Sequence, residues 1–424
     1  MSSDPRPTSA ITVGILRREP RYLRAVVALG LFSTAEHAAW VTFLVVAYER
    51  GGVGEAGIVS AMLLGPAALI APLVAKEISG LRLRHPLAIG YGVQCVALAI
   101  AACVVAAQSD PVLFYMAAVL VTVTTVFSRP AHHGAIVAAD DQITLAANVA
   151  TGFVSGLAQL LGPLMASAVL LRLGVVEVFV IGAALLALAT ALTVGIDMST
   201  SVVGDTVASQ AAWPPRRPAV REVLLRVPSR DAVHSVVMLF CVLGLTTVVL
   251  GVVETLATEV GYGVLGDDGA GTGALIAAAG GGLLIGAAVA GITLRRTTER
   301  TTMRIGAGLT GAALLLCAMD APLPLSLMAF VLVGTGMQMI LVAGWVLLHH
   351  HVQPADTCLV FGLLESQQLV GNAVGAATAG VAIAHFGVWA VAAAASALLA
   401  ASMLLMTTPR MHRLSMSSPV AARR

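Results

Sequence analysis

Long apolar runs separated by short polar turns make up most of this chain. A helix needs about 20 apolar residues to cross the hydrocarbon core of a bilayer, and the pattern yields twelve runs of roughly that size. The turns between the runs are rich in Gly, Pro, Asp and Ser, which favour chain reversal. The predicted spans are 22–48, 56–78, 87–107, 112–130, 145–171, 176–196, 232–257, 271–294, 303–320, 325–349, 358–385 and 388–408.

One long polar interruption divides these spans into two groups of six. It contains the stretch PPRRPAVREVLLRVPSR, which is too polar to lie in hydrocarbon. The sequence therefore predicts two six-helix bundles joined by a polar loop. The predicted segments are an N-tail at 1–21, a first bundle at 22–196, a central loop at 197–231, a second bundle at 232–408 and a C-tail at 409–424.

The composition indicates that most of the chain is surrounded by lipid rather than by water. Hydrophobic residues make up 58% of the 424 residues and charged residues only 11%, whereas soluble proteins carry roughly 25% charged residues. The mean hydropathy is +0.92. These values indicate an all-α, multi-pass membrane protein, since helices satisfy their own backbone groups in lipid. The net charge of +2 gives no basis for nucleic-acid binding.

The positions of the basic residues predict the orientation of the spans. Cytoplasmic loops of membrane proteins are enriched in Lys and Arg. With both termini inside, all but two of the 24 Lys and Arg residues lie in or beside predicted cytoplasmic segments. The exceptions are Arg50 and Arg172. The charge pattern thus supports twelve spans with the N- and C-termini both in the cytoplasm.

No motif of the chain predicts an enzyme. The five cysteines lie singly, without the spacing of a metal site. The sequence contains no G-x-x-x-x-G-K-[ST] loop for ATP phosphates. We therefore predict no catalytic residue, metal or cofactor, and expect a proton gradient to be the energy source.

Several stretches resemble the major facilitator superfamily, and most of all its enterobactin-exporter-like branch. They are AEHAAWVTFLVVAYERGG in the first span, FSRPAHHGAIVAADDQITLAANVATG between spans four and five, and LVFGLLES at the start of span eleven. The resemblance runs from about Arg17 to about Met406. It implies alternating access to a central cavity lined by spans one, four, seven and ten.

The chain departs from the superfamily pattern at the residues that the resemblance assigns to gating and helix packing. PLVAKEISGLRLRHP stands where the family has G-x-L-a-D-r-x-G-r-[RK], so Ser79 replaces the expected Asp, with Glu77 as a possible substitute. The fifth-span motif is partial. The residues kept as gating or inter-helix candidates are Glu77, Arg82, Arg84, Arg129, Gly162 and Pro163.

Glu36 and His37 stand side by side in the middle of the first span. Glu36 lies ~20 Å along the helix from the start of the span, where an ionised carboxylate costs about 2.5–3.5 kcal/mol to insert. It either carries a proton or substrate, or makes a fixed hydrogen bond to another helix. Trp40 shares its face, so the pair suits a cationic or amphipathic substrate. His37 is either an extra proton carrier or a hydrogen-bonded structural residue.

Further polar residues occur in spans seven and eleven. Glu254 lies in span seven, and is either a cavity residue or part of the outer rim. On span eleven, Glu365, Gln368 and Asn372 follow helical spacing and form one polar stripe. Their predicted role is an inter-helix or gating contact, with substrate contact as the alternative.

Spans four and ten contribute the remaining cavity candidates under the family resemblance. They are Thr122 and Thr125 in span four and Gln338 and Trp345 in span ten, with ordinary packing as the alternative. The glycine-rich run 271–291 contains Gly282 and Gly286, a spacing that predicts close helix packing.

Together these features predict a monomeric secondary transporter in a bacterial cell membrane. The expected partners are a small hydrophobic or amphipathic substrate, protons and the lipid bilayer. Export by proton antiport is the expectation from the resemblance. The alternatives are proton-linked import and a non-transporting membrane protein that senses a ligand or docks a partner.

Overall fold

The computed structural model describes residues 19–80, 86–108, 110–135, 141–196, 230–265, 269–319, 321–351 and 357–405. Throughout these ranges the regular secondary structure is helical. The helices are α1 (Pro20–Gly80), α2 (Pro86–Ala106), α3 (Pro111–Ala135), α4 (Asp141–Arg172), α5 (Val175–Thr193), α6 (Arg230–Leu265), α7 (Ala270–Arg296), α8 (Glu299–Cys317), α9 (Leu323–His351) and α10 (Thr357–Leu405).

Glycines break the two longest helices. α1 is interrupted at Gly51 and Gly52, where Gly52 has φ 70°, and α10 is interrupted at Gly387, with φ 79°. Residues with a Cβ rarely adopt this left-handed region, so the glycines allow the chain to turn there. Both breaks fall at or beside predicted turns, between spans one and two and between spans eleven and twelve.

Eight helices of the described part are long and apolar enough to cross a membrane, judged by length and composition. A ninth apolar helix, Pro111–Thr125, is shorter. The prediction of a multi-pass, all-helical membrane protein is therefore confirmed. The number of twelve spans and the orientation of the termini stay predictions.

The helices form two compact units. The first comprises Met1–Phe43 and Leu69–Trp213, and the second Leu44–Ala68 and Pro214–Arg424. Residues 44–68 group with the second unit, and the predicted bundle boundaries stay predictions. Close packing explains the grouping: a side chain at Gly57 would meet the carbonyl of Ala376 and the backbone of Gly380 in α10.

Aromatic side chains fill the core of the first unit. Phe32 and Phe43 of α1 are buried. The Phe32 ring centroid lies 5.2 Å from that of Tyr91 in α2, and the Phe43 centroid lies 5.5 Å from Phe114 and 4.9 Å from Phe179. These contacts fix one side of α1 against α2, α3 and α5.

Small residues allow the helices of the second unit to pack closely. Lipid is as apolar as a leucine side chain, so helices in a membrane associate through close backbone contact and hydrogen bonds. At Gly282 and Gly286 of α7, a Cβ would collide with the backbone of Val331 and Thr335 in α9. The packing role predicted for these two glycines is confirmed. The Thr335 hydroxyl also donates to the Gly282 carbonyl at 3.1 Å.

Candidate functional site

Glu36 and Trp40 lie together on one face of α1. The aromatic core contacts the side of α1 that carries Phe32 and Phe43. Both Glu36 and Trp40 are half-buried beside that side of the helix. The indole Nε1 of Trp40 is buried and finds no acceptor among the described residues.

His37 faces a different neighbour. Its Nδ1 donates to the carbonyl of Ser33 one turn earlier, at 2.6 Å. A Cβ at Gly162 of α4 would collide with the His37 side chain and the Thr34 carbonyl. The structure thus brings Gly162 and His37 together by packing. His37 has the hydrogen bond that the structural alternative requires, and Pro163 lies beside this contact inside α4.

Glu254 of α6 is hydrogen-bonded to α10. The Asn372 side-chain amide Nδ2 donates to Glu254 Oε1 at 3.2 Å. Glu254 and Asn372 are both half-buried. Both were singled out from the sequence, but their contact was not predicted, because spacing along a chain does not reveal pairing between helices 118 residues apart. We call this contact the Glu254–Asn372 pair.

Glycines bring α6 and α10 close enough for this pair to form. A Cβ at Gly251 would collide with the backbone and side chain of Asn372, and a Cβ at Gly375 would collide with the backbone of Val248. Gln367 Nε2 donates to the Phe240 carbonyl at 2.8 Å and so adds a second inter-helix bond. We call this line of contacts the α6–α10 seam. Gln368, the predicted stripe residue, is half-buried beside it.

The remaining cavity candidates make local contacts or contacts within their unit. The hydroxyls of Thr122 and Thr125 donate to the carbonyls of Ala118 and Thr122 in their own helix. Serine and threonine commonly satisfy themselves this way in apolar helices. The Gln338 Cβ lies against Gly286 of α7.

Trp345 packs beside the core of the second unit. Its buried Nε1 has no acceptor within the part of the chain that the structure describes.

The structure does not describe the side chains of most of the predicted gating residues. Arg82 and Arg84 are outside the described residues. Glu77, Arg129 and Glu365 lie on the backbones of α1, α3 and α10, but their side chains are not described. Within the described ranges, His, Cys, Asp and Glu side chains form no group that could hold a metal ion.

Sequence reasoning missed Gln94 in α2. Its side chain is fully buried, and neither its oxygen nor its nitrogen has a hydrogen-bond partner among the described residues. A buried amide without partners costs roughly 1–3 kcal/mol in proteins. A lone amide in the apolar run AIGYGVQCVALAI was the available signal.

Sequence reasoning also missed an aromatic and acidic cluster in the second unit. The rings of Tyr48 and Tyr262 stack with centroids 4.1 Å apart. The Tyr48 hydroxyl donates to Glu259 Oε2 at 2.8 Å, and the Tyr262 hydroxyl lies 3.3 Å from Glu49 Oε1. We call these four residues the tyrosine cluster. It links the end of the first half of α1 to the end of α6.

We expect Tyr48→Phe to lower the free energy of unfolding by about 1 kcal/mol, because it keeps the ring stack and removes one hydrogen bond to a half-buried carboxylate. Unfolding in mixed micelles titrated with sodium dodecyl sulfate measures the change. Combining Tyr48→Phe with Glu259→Ala, which removes the acceptor, should cost less than the sum of the two single changes. Full additivity of the two changes would contradict the assigned bond.

The chain shares its helical fold with solved structures of transporters. Among solved structures, a variant of the peptide transporter POT matches with a TM-score of 0.69 and 13% identity, covering 93% of this chain and 95% of that chain. A variant of the nucleoside transporter NupG matches with a TM-score of 0.69 and 14% identity, covering 91% and 100%. A POT family transporter in complex with 5-aminolevulinic acid matches with a TM-score of 0.63 and 12% identity, covering 91% and 95%.

These similarities establish the fold, since identities of 12–14% leave substrate and coupling open. No protein-family model and no curated protein matches the sequence. The predicted major facilitator fold is confirmed at this level. Its enterobactin-exporter-like branch stays a prediction, because the matched structures named above are peptide and nucleoside transporters.

Proposed function

We propose that this protein is a secondary active transporter that moves a small hydrophobic or amphipathic molecule by alternating access. The proposed location is a bacterial cell membrane, and the proposed direction is export in exchange for protons. The matched structures are transporters by name, of peptides and of nucleosides. The substrate class proposed here rests instead on this chain's own residues.

The observation that carries the proposal is the Glu36–Trp40 face of α1. A carboxyl group in the middle of a membrane helix is costly to insert, and such residues usually mark ion or substrate paths. The indole N–H of Trp40 is buried without an acceptor among the described residues. An acid beside an indole provides a proton-binding group, a hydrogen-bond donor and a π face for an amphipathic cation.

Proton coupling supplies enough energy for the proposed export. A membrane potential contributes ~2.3 kcal/mol per elementary charge per 100 mV, and each unit of pH difference contributes about 1.4 kcal/mol per proton. Protonation of Glu36 from one side and release to the other would couple these gradients to substrate movement. Glu254 is the second proposed proton or substrate residue, in the second unit.

The test begins with a screen for the substrate. Deleting the gene and comparing metabolite export and drug sensitivity with the parent strain identifies candidate molecules. Purified protein in proteoliposomes is then assayed for flux of the identified molecule under an imposed pH gradient.

We expect Glu36→Gln to lower the flux driven by the pH gradient by about tenfold, because glutamine keeps the shape of the side chain and cannot exchange a proton. Glu177→Gln is the matched control, since Glu177 lies in the first turn of α5, at the end of a span rather than in its middle. Unchanged gradient-driven flux in Glu36→Gln would rule out Glu36 as the proton carrier. Tight binding of the identified molecule without flux in the unmutated protein would favour a membrane sensor.

A further inference from the structure

An open groove runs between α8 and the second half of α10. Its volume is about 340 Å³. Ala307 and Met403 form a buried floor, while Gly308 and Ala400 lie on the exposed rim. All of these side chains are small or flexible and apolar. The groove lies wholly within the second unit and is separate from Glu36, Trp40 and the Glu254–Asn372 pair.

The two ends of the groove differ in chemistry. At one end, the Ser396 hydroxyl donates to the Gly311 carbonyl at 2.9 Å. Arg304 lines the opposite end and is exposed. Arg304 and Gly311 are seven residues apart on α8, which corresponds to about 10 Å along the helix. The groove is therefore mainly apolar, with a cationic group at one end, which we call its mouth.

A second arginine, Arg300, lies close enough to Arg304 for their charges to interact. Arg300 precedes Arg304 by four residues, so both project from one side of α8. Burial and the neighbouring positive charge of Arg304 lower the pKa of Arg300, and Glu299 acts in the opposite direction. Within the described residues, Arg304 has no carboxylate at ion-pair distance. An anion at this position would relieve the repulsion between the two guanidinium groups.

We propose that this groove binds one acyl chain of an anionic phospholipid, with the lipid phosphate held by Arg304 and Arg300. The apolar floor suits a methylene chain, and guanidinium groups bind phosphate oxygens with charge-assisted hydrogen bonds. Arg304 lies at the predicted cytoplasmic start of span nine, and the cytoplasmic leaflet is the one that carries anionic lipids. A peptide fits less well, because the apolar side chains that line the groove offer no hydrogen-bond partners to a peptide backbone.

The test measures lipid binding to the full chain by native mass spectrometry in mild detergent. The probes are phosphatidylglycerol and phosphatidylcholine with identical acyl chains. We expect the unmutated protein to bind phosphatidylglycerol several-fold more tightly. Arg304→Gln should weaken phosphatidylglycerol binding about fivefold, with little effect on phosphatidylcholine. Arg296→Gln is the matched control and should leave both affinities unchanged, since Arg296 ends α7 outside the groove lining.

Gly308 provides a separate test of the acyl-chain contact. The space beyond its Cα is open, with no atom within 4 Å of the position that a Cβ would occupy. Gly308→Leu should fit the fold, fill the groove and weaken binding of both lipids, whereas Gly308→Ala should retain binding. Thermal unfolding of each variant checks that the chain is folded.

Three results would overturn the proposal. They are equal affinity for the two lipids, phosphatidylglycerol binding unaffected by Arg304→Gln, and binding unaffected by a folded Gly308→Leu variant. Inorganic phosphate that displaces phosphatidylglycerol completely would show an anion site alone and would overturn the acyl-chain assignment. Binding is measured without flux, so this test is independent of the transport proposal.

Discussion

Replacing Gly375 with alanine is expected to destabilise the second unit by about 1–3 kcal/mol, although the same change stabilises most helices. Alanine is favoured over glycine in a helix interior by roughly 1 kcal/mol. At Gly375, however, the added methyl would collide with the carbonyl of Val248 in α6, and a backbone atom cannot move aside by changing rotamer. The cost of separating α6 from α10 therefore exceeds the gain in helix propensity.

The measurement is the free energy of unfolding in mixed micelles titrated with sodium dodecyl sulfate. Gly291→Ala in α7 is the matched control, because no atom lies within 4 Å of its Cβ position and it is exposed. We expect Gly291→Ala to be neutral or mildly stabilising, so that the two Gly→Ala changes have opposite signs. Equal effects at the two positions would show that α6 and α10 are not packed as closely as described.

The prediction of helices from this sequence succeeded because lipid simplifies the physical problem. A long apolar run in a bilayer has to satisfy its backbone hydrogen bonds internally, so hydropathy alone indicates a helix. Turn chemistry located the break at Gly52 for the same local reasons. The small-residue spacing at Gly282 and Gly286 also has a local signature, and its predicted packing role was confirmed.

Contacts between helices could not be predicted in the same way. No pattern in the sequence showed that Gly375 and Gly251 contact a neighbouring helix, because α6 and α10 are far apart along the chain. The chain contains 42 glycines, and periodicity does not say which of them faces a neighbouring backbone. The tyrosine cluster was missed for a related reason, since Tyr48 and Glu259 are 211 residues apart.

The sequence predicted individual residues of the candidate site but not the contacts between them. Glu36, Trp40, Glu254 and Asn372 stood out because polar side chains are expensive in hydrocarbon. Their partners are set by tertiary packing. On α10, Asn372 bonds to Glu254, and Gln367, the residue before the predicted Gln368, bonds to the Phe240 carbonyl.

The Glu254–Asn372 pair is expected to stabilise the α6–α10 seam and to couple it to transport. Asn372→Leu should lower the free energy of unfolding by about 1.5–3 kcal/mol, because the Glu254 carboxylate loses a hydrogen-bond donor. The matched control is Thr378→Ala on α10, where the lost hydroxyl bonds only to carbonyls of its own helix. We expect the control to change stability by less than about 0.5 kcal/mol.

Glu254→Gln separates the structural contribution of this pair from a role in proton or substrate binding. Glutamine keeps a side-chain oxygen that accepts from Asn372, so stability should fall by less than in Asn372→Leu. If Glu254 carries protons or contacts substrate, flux in proteoliposomes should fall about tenfold in Glu254→Gln. Wild-type flux in Glu254→Gln, together with the stability loss in Asn372→Leu, would instead assign Glu254 to inter-helix packing, and Glu36 would be left as the acidic residue on which coupling depends.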